Sequence, residues 1–372
     1  MKKYLTKSRK VVLSIYLIIL ILNILSWSSR AFSDWYARNI LRIWVSGVSR
    51  TVSQLKFSLG EVMIAAGVVL IAAAPVTFIF LMIFAKNKRK KTAIIFSDIF
   101  MWITAFIMMM LTLNCFIMYH CTPFSEKYFN GAQREYSSQN LIDVYEMITY
   151  NLNDLSERTA RDEQGYFILS DDLYENASQA MNNISGNYPQ LSGYYPSPKP
   201  IYFSQFMSQQ YTMGVFFPFS LETNYNNVMH EVNLPDTVCH EYAHLKGYMQ
   251  EDEAGFIAYI ACINSDSTDF RYSGYLSMLN YIEEAVHTMA ASDEQMQRVY
   301  EIETSVCENV RKDNIFLRQE KWEEVEQSAV ISTEFVDEVS DKLTDMSLKI
   351  NGVEDGMQSY SRKVNLLLDY YF

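Results

Sequence analysis

The chain has 372 residues, 20% of them charged, and a formal net charge of −12. That charge is split: residues 1–119 carry 15 Lys/Arg against 3 Asp/Glu, and the remainder carries 16 against 40. A basic, apolar head joined to an acidic, aromatic-rich body implies a membrane anchor followed by a soluble domain. The acidic body excludes nucleic acid as a partner, because phosphate binding needs clustered cations.

Crossing a bilayer takes about 20 mostly apolar residues. Three stretches meet this, at about 11–27, 62–84 and 93–119. Lys2, Lys3, Lys7, Arg9 and Lys10 precede the first, but no small-residue cleavage site follows, so it reads as a retained span. Asp98 falls near the cytoplasmic end of the third, where a carboxylate can snorkel to water. The five basic residues before the first span, and Lys86, Lys88, Arg89, Lys90 and Lys91 between the second and third, outnumber the five in the loop 28–60. By the positive-inside rule the N-terminus is cytoplasmic and residues 120–372 are extracytoplasmic. In the loop 28–60, Trp35, Tyr36, Ile40, Leu41 and Trp44 mix with Arg38 and Arg42, the pattern of an interfacial amphipathic helix. Cys115, Cys121, Cys239, Cys262 and Cys307 form no C-x-x-C pair and select no disulfide. Nothing in the sequence specifies an oligomeric state.

Residues 139–160 show helical spacing at Leu141, Val144, Met147, Ile148 and Leu152. A short helix is expected near 171–184, then a loop over 185–200 rich in Pro, Gly, Ser and Tyr. IYFSQF and YTMGVFFPF, within 201–222, read as short strands, and Pro218 confines the second to a sheet edge. From Pro235 onward helices are predicted at about 235–246, 251–263, 271–291, 293–311, 317–345 and 355–370. The outer domain is therefore mainly α with a small sheet (α+β), without βαβ alternation.

The informative segment is LPDTVCHEYAHLKGYMQEDEAGFIAYIAC, residues 234–262. His240-Glu241-Tyr242-Ala243-His244 is an H-E-x-x-H motif. On a helix, positions i and i+4 share a face one turn apart, so two imidazoles there can reach one tetrahedral zinc. Glu241 flanks that face as the base for a metal-activated water. Pro235 and Asp236 suit the helix start and Gly247 its stop. With five histidines in the whole chain, two at this spacing around a glutamate are hard to assign to chance. A catalytic zinc needs a third protein ligand and an open position. An acid on the first turn of the following helix can supply it: Glu253 is the first choice and Glu251 the second, although acids there also serve the helix dipole.

Other residues give weaker signals. Gly214, Val215, Phe216 and Phe217 precede the motif helix, where an edge strand can pair with an extended peptide substrate; an ordinary core strand reads equally well. Glu222 and Asn224 can line the cleft, but read more simply as solvent-facing turn residues. Tyr272 or Tyr275 can stabilise an oxyanion, though with 26 tyrosines packing is the ordinary role. His287 reads as structural, His230 as a loop residue poorly placed for a ligand, Cys239 as a small buried residue, and 321–326 as a solvated helix face.

H-E-Y-A-H followed by E-D-E-A-G-F-I-A-Y resembles the zincin metallopeptidases whose second helix supplies a glutamate ligand, with a shorter spacing from His244 to Glu253 than is usual there. The metzincin pattern fails at Gln250. GVFFPFSLETNYN (214–226), the segment 234–259, FRYSGYLSML (270–279) and DGMQSYSRKVNLLLDYY (355–371) are similar to a bacterial membrane family, domain of unknown function 3810. That resemblance implies a zincin-like fold and no particular substrate; Gly255 stands where a small polar residue is expected.

Together these features lead to an expectation of a membrane-anchored zinc peptidase. One Zn2+ is held by His240, His244 and Glu253 or Glu251, and Glu241 is the general base. The substrate is an extracytoplasmic or membrane-tethered polypeptide and the bilayer is the other partner. A rival reading is a zinc-stabilised, inactive receptor or assembly module. Intramembrane proteolysis is disfavoured, because the motif lies more than 100 residues beyond the last span.

Overall fold

The computed structural model describes residues 6–84, 88–129, 135–290, 292–351 and 360–372. Lys2, Lys3 and Lys86, which entered the charge count, and 355–359 of the tail segment lie outside them. The chain is mainly helical with one three-stranded sheet, and it divides into two compact units.

The first unit comprises Met1–Cys121 and Phe217–Glu222. Its helices are α1 (Lys7–Ser28), α2 (Arg30–Tyr36), α3 (Arg42–Val52), α4 (Leu59–Phe84) and α5 (Arg89–Leu111), the last extended by π- and 3-10 turns to His120. Lys7–Ser28, Leu59–Phe84 and Arg89–His120 are long and apolar enough to cross a membrane. Apolar side chains point outward all along them, Leu17 and Ile71 among them, which suits a lipid solvent and not water. Polar pairs fix the register of α1 on α5: Asn23 Nδ2 donates to Thr112 Oγ1 (2.9 Å), and Arg9 Nε to Asp98 Oδ1 (2.5 Å). Asp98, near one end of its helix, is thus paired with a cation of α1.

A π-turn joins α2 to α3. One face of this stretch buries Tyr36, Leu41 and Val45, and the other exposes Trp35, Ile40, Ile43 and Trp44. Glu222, expected in solvent, is buried in this unit. Its carboxylate accepts from the backbone N–H groups of Leu59 and Gly60, the orphan donors at the start of α4. The Phe217 ring fills the space where a Gly60 side chain would stand. Ser49 Oγ donates to the Leu221 carbonyl (2.9 Å) and Asn114 Nδ2 to that of Pro218 (2.7 Å).

The second unit comprises Thr122–Phe216 and Thr223–Phe372. It starts with α6 (Phe124–Tyr128), α7 (Ser138–Ser156) and α8 (Leu173–Asn183), followed by β1 (Lys199–Pro200), α9 (Ser204–Ser208), β2 (Gly214–Phe217) and β3 (Glu222–Tyr225). Then come α10 (Leu234–Leu245), α11 (Glu251–Ile263), α12 (Thr268–Met289), α13 (Asp293–Ser305), α14 (Glu308–Asp313), α15 (Gln319–Ser328), α16 (Thr333–Ile350) and α17 (Tyr360–Tyr371). The run IYFSQF holds a helical turn and not a strand. The expected helix 293–311 breaks at Val306 and Cys307, and that at 317–345 breaks over 329–332.

At the centre lies α11, buried from Asp252 to Cys262 and packed on α8, α10, α12 and α17. A helix apolar all round belongs inside a bundle. The sheet order is β1-β3-β2, with β1 parallel to β3 (Lys199 opposite Asn224), so β2 is an edge strand. All five cysteines are free thiols.

Candidate metal centre

The site starts with the helix α10. Pro235 in its first turn has no N–H to leave unpaired, and Asp236 complements the positive end of the dipole. Gly247 ends it with φ +96°, in the left-handed region that favours glycine. The Gly247 and Tyr248 N–H groups donate back to the carbonyls of His244 (2.9 Å) and Ala243 (3.1 Å). The chain thus reverses in a few residues, and α11 begins beside the helix it has just left.

That reversal sets Glu251, the first residue of α11, against both histidines. Its Oε2 is 3.0 Å from His240 Nε2, and its Oε1 is 3.6 Å from His244 Nε2. The three side chains bring their ligand atoms within 4.8 Å of one another. Donors about 2.0–2.1 Å from a tetrahedral zinc lie roughly 3.3–3.4 Å apart, so these spacings are of the right size for one such ion. Side-chain exposure rises from 10% at His244 through 21% at His240 to 51% at Glu251, which leaves the cluster open on the Glu251 side.

His244 is oriented from behind. Its Nδ1 lies 2.7 Å from the Tyr248 carbonyl oxygen, which can only accept, so Nδ1 carries the proton and Nε2 turns to the cluster. Burial opposes a charge on His244, but the Glu251 carboxylate outweighs it and pushes the imidazole up to about 9. Burial likewise opposes the Glu251 charge, and His244 and His240 overcome it and hold that carboxyl well below its ordinary range. Behind this group lie Asp236, one turn before His240, and the buried Lys363 of α17, whose ammonium stands 4.0 Å over the Tyr281 ring. Lys363 also interacts with the charges of Asp236, Glu251 and Asp252.

Glu241 is buried, and burial raises its carboxyl above the usual range against the pull of both histidines. It accepts a hydrogen bond from the Phe216 backbone N–H, while its Oε2 has no partner among the described residues. Strand β2 passes so close that a Cβ on Gly214 would lie 2.6 Å from Glu241 Oε1 and 2.7 Å from Thr237 Cγ2. Of the strand residues singled out in the sequence, Gly214 and Phe216 therefore touch Glu241, while Phe217 belongs to the first unit and Val215 accepts a long bond from Asn224 Nδ2 (3.5 Å).

Three expected site residues are elsewhere. Successive helical residues are about 100° apart, so with Glu251 facing the histidines, Asp252 and Glu253 turn into the core. Glu253 accepts from the Phe124 backbone N–H (2.5 Å) beneath the Phe124, Tyr248 and Phe256 rings, and burial pushes its carboxyl up to about 8. Asp252 pairs with Arg362 (2.9 Å). Tyr272 donates to Asp313 Oδ2 (2.8 Å) in a buried group with Arg161 and His230, which engages its hydroxyl away from any oxyanion. Tyr275 stacks edge-on against Tyr259, with Tyr371 as its hydroxyl partner.

Tyr248, Thr237 and Lys363 carried no signal in the sequence. The first acts through a backbone carbonyl, the second through a methyl group, and the third arrives from a helix about a hundred residues downstream.

No curated protein matches the chain, and no solved structure does. A family model does match, over residues 36–368, which takes in the second and third apolar helices, the H-E-x-x-H helix and most of α17. The chain therefore belongs to the family described as protein of unknown function (DUF3810).

Proposed function

We propose that the chain is a membrane-anchored zinc peptidase, with His240, His244 and Glu251 as metal ligands and Glu241 as general base. The observation that carries this reading is the convergence of two imidazole Nε2 atoms and one carboxylate beside a buried, half-unpartnered glutamate. Two imidazoles and one carboxylate are a donor set for a borderline ion such as zinc, in preference to calcium or magnesium. The attraction between Glu251 and the imidazoles supports the same view, because a divalent cation satisfies all three groups at once.

Zinc bound there would supply Lewis-acid activation of water and of a substrate carbonyl. The protein supplies the rest. Glu241, raised by burial and left with a free oxygen, takes a proton from the attacking water and returns it to the leaving amine. Edge strand β2 offers backbone groups to an extended peptide, and Gly214 lets that strand lie against Glu241. The exposed side of Glu251 gives the substrate its entry.

The three apolar helices would hold the chain in a bacterial membrane, N-terminus inside, with 120–372 outside the cytoplasm and acting on envelope polypeptides. A test uses the full chain in detergent, incubated with zinc and a peptide library read by mass spectrometry. The expected result is cleavage that Glu241→Gln abolishes while zinc stays bound. A Glu241→Gln protein that keeps every measurable function of the wild type favours the inactive-module reading instead.

A further inference from the structure

A second group of ligand atoms lies between α12 and α13. Glu283 and His287 stand one turn apart on α12, and Glu303 comes from α13. Their donor atoms all lie within 4.8 Å of one another, with His287 Nε2 3.7 Å from Glu303 Oε2. All three are within reach of solvent, so an ion can enter and leave.

An independent feature points to the same place. Tyr145 on α7 is fully buried, yet its hydroxyl has no hydrogen-bond partner among the described residues. Helix α7 packs against both α12 and α13, and the Tyr145 hydroxyl lies within electrostatic reach of both Glu283 and Glu303. A buried polar atom with no partner is rare in a native protein and calls for an unseen water or ion. The nearby cation, Arg311, is committed to the backbone carbonyls of Val306 and Glu303. Its charge also acts on the Glu283 carboxylate.

We infer that Glu283, His287 and Glu303 form a second divalent-cation site, which ties α12 to α13 within electrostatic reach of the unpartnered Tyr145 hydroxyl. One imidazole and two carboxylates suit a borderline transition ion such as zinc; calcium would ask for oxygen ligands throughout. No buried carboxylate comparable to Glu241 flanks the group among the described residues, so this is a tie between helices and not a reaction centre.

The test is zinc titration of the full chain in detergent, with wild type, His287→Ala and Glu303→Gln compared. Both residues are solvent-reached, and matching far-UV circular dichroism verifies that the variants fold. The wild type is expected to take up two equivalents. Each variant is expected to lose one, or to bind it at least tenfold more weakly. His244→Ala removes the other equivalent, so the two sites fail separately. Unchanged zinc uptake in both His287→Ala and Glu303→Gln overturns the inference, whatever becomes of the first site.

Discussion

His244 Nδ1 lies 2.7 Å from the carbonyl oxygen of Tyr248, four residues further along the chain. This bond fixes which imidazole nitrogen faces Glu251, and it exists because Gly247 adopts φ +96° and folds the chain back. A side chain at that position is strained by about 1–2 kcal/mol. Gly247→Ala is therefore expected to lower thermal stability by that amount. It is also expected to weaken the proposed zinc binding about 10- to 100-fold, as the loss of a supporting partner does in other metal sites. Thermal unfolding and zinc titration of the same sample check both.

Gly214 separates a binding effect from a metal effect. A Cβ there collides with Glu241 Oε1 and Thr237 Cγ2, neither of which is a ligand. Gly214→Val should cut peptide cleavage by at least 100-fold and leave zinc content unchanged, because it displaces the base and the strand together. Metal analysis beside an activity assay reads the split; loss of zinc in this variant would place the strand in the ligand shell.

Asp313 is the acid-sensitive point of the second unit. Burial opposes its charge, but bonds from His230, Arg161, the Phe167 N–H and Tyr272 hold its carboxyl below the usual range. A carboxyl lowered in the folded state binds fewer protons there than when unfolded. The stability it contributes is complete above its ordinary value near 3.8 and is lost as pH falls through the folded value. Asp313→Asn should destabilise the unit by about 3–5 kcal/mol at neutral pH, since Arg161 loses its buried partner. It should also flatten the fall in melting temperature below about pH 4. Melting curves from pH 3 to 7 test both.

The proposed orientation has its own check. Tyr150 on α7 is largely exposed, so Tyr150→Cys adds an accessible thiol to the second unit. A maleimide that cannot cross membranes should label this variant in intact cells above the wild-type background. Labelling only after lysis would reverse the topology.

The parts legible in the sequence were those written in short-range periodicity. The three apolar helices, α11 to the residue, and the His240–His244 face all follow from spacing along one segment. The third ligand did not, because Glu251, Asp252 and Glu253 are consecutive acids, and which one faces the histidines depends on the turn at Gly247. For Tyr272 the sequence favoured packing over an oxyanion role but could not name the partner, because Asp313, which takes its hydroxyl, lies 41 residues on. Glu222 looked like a turn residue because its partners, Leu59 and Gly60, lie more than 160 positions away.

The central claim, that Glu251 completes the metal centre with His240 and His244, is tested most directly by zinc content in two conservative variants of the full chain. Glu251→Gln should lose one equivalent relative to wild type, and so should His244→Ala. Glu253→Gln, which alters a buried carboxyl already close to neutral, should retain the wild-type content. Zinc kept by Glu251→Gln and lost from Glu253→Gln would contradict the account and return the ligand role to the residue the structure turns into the core.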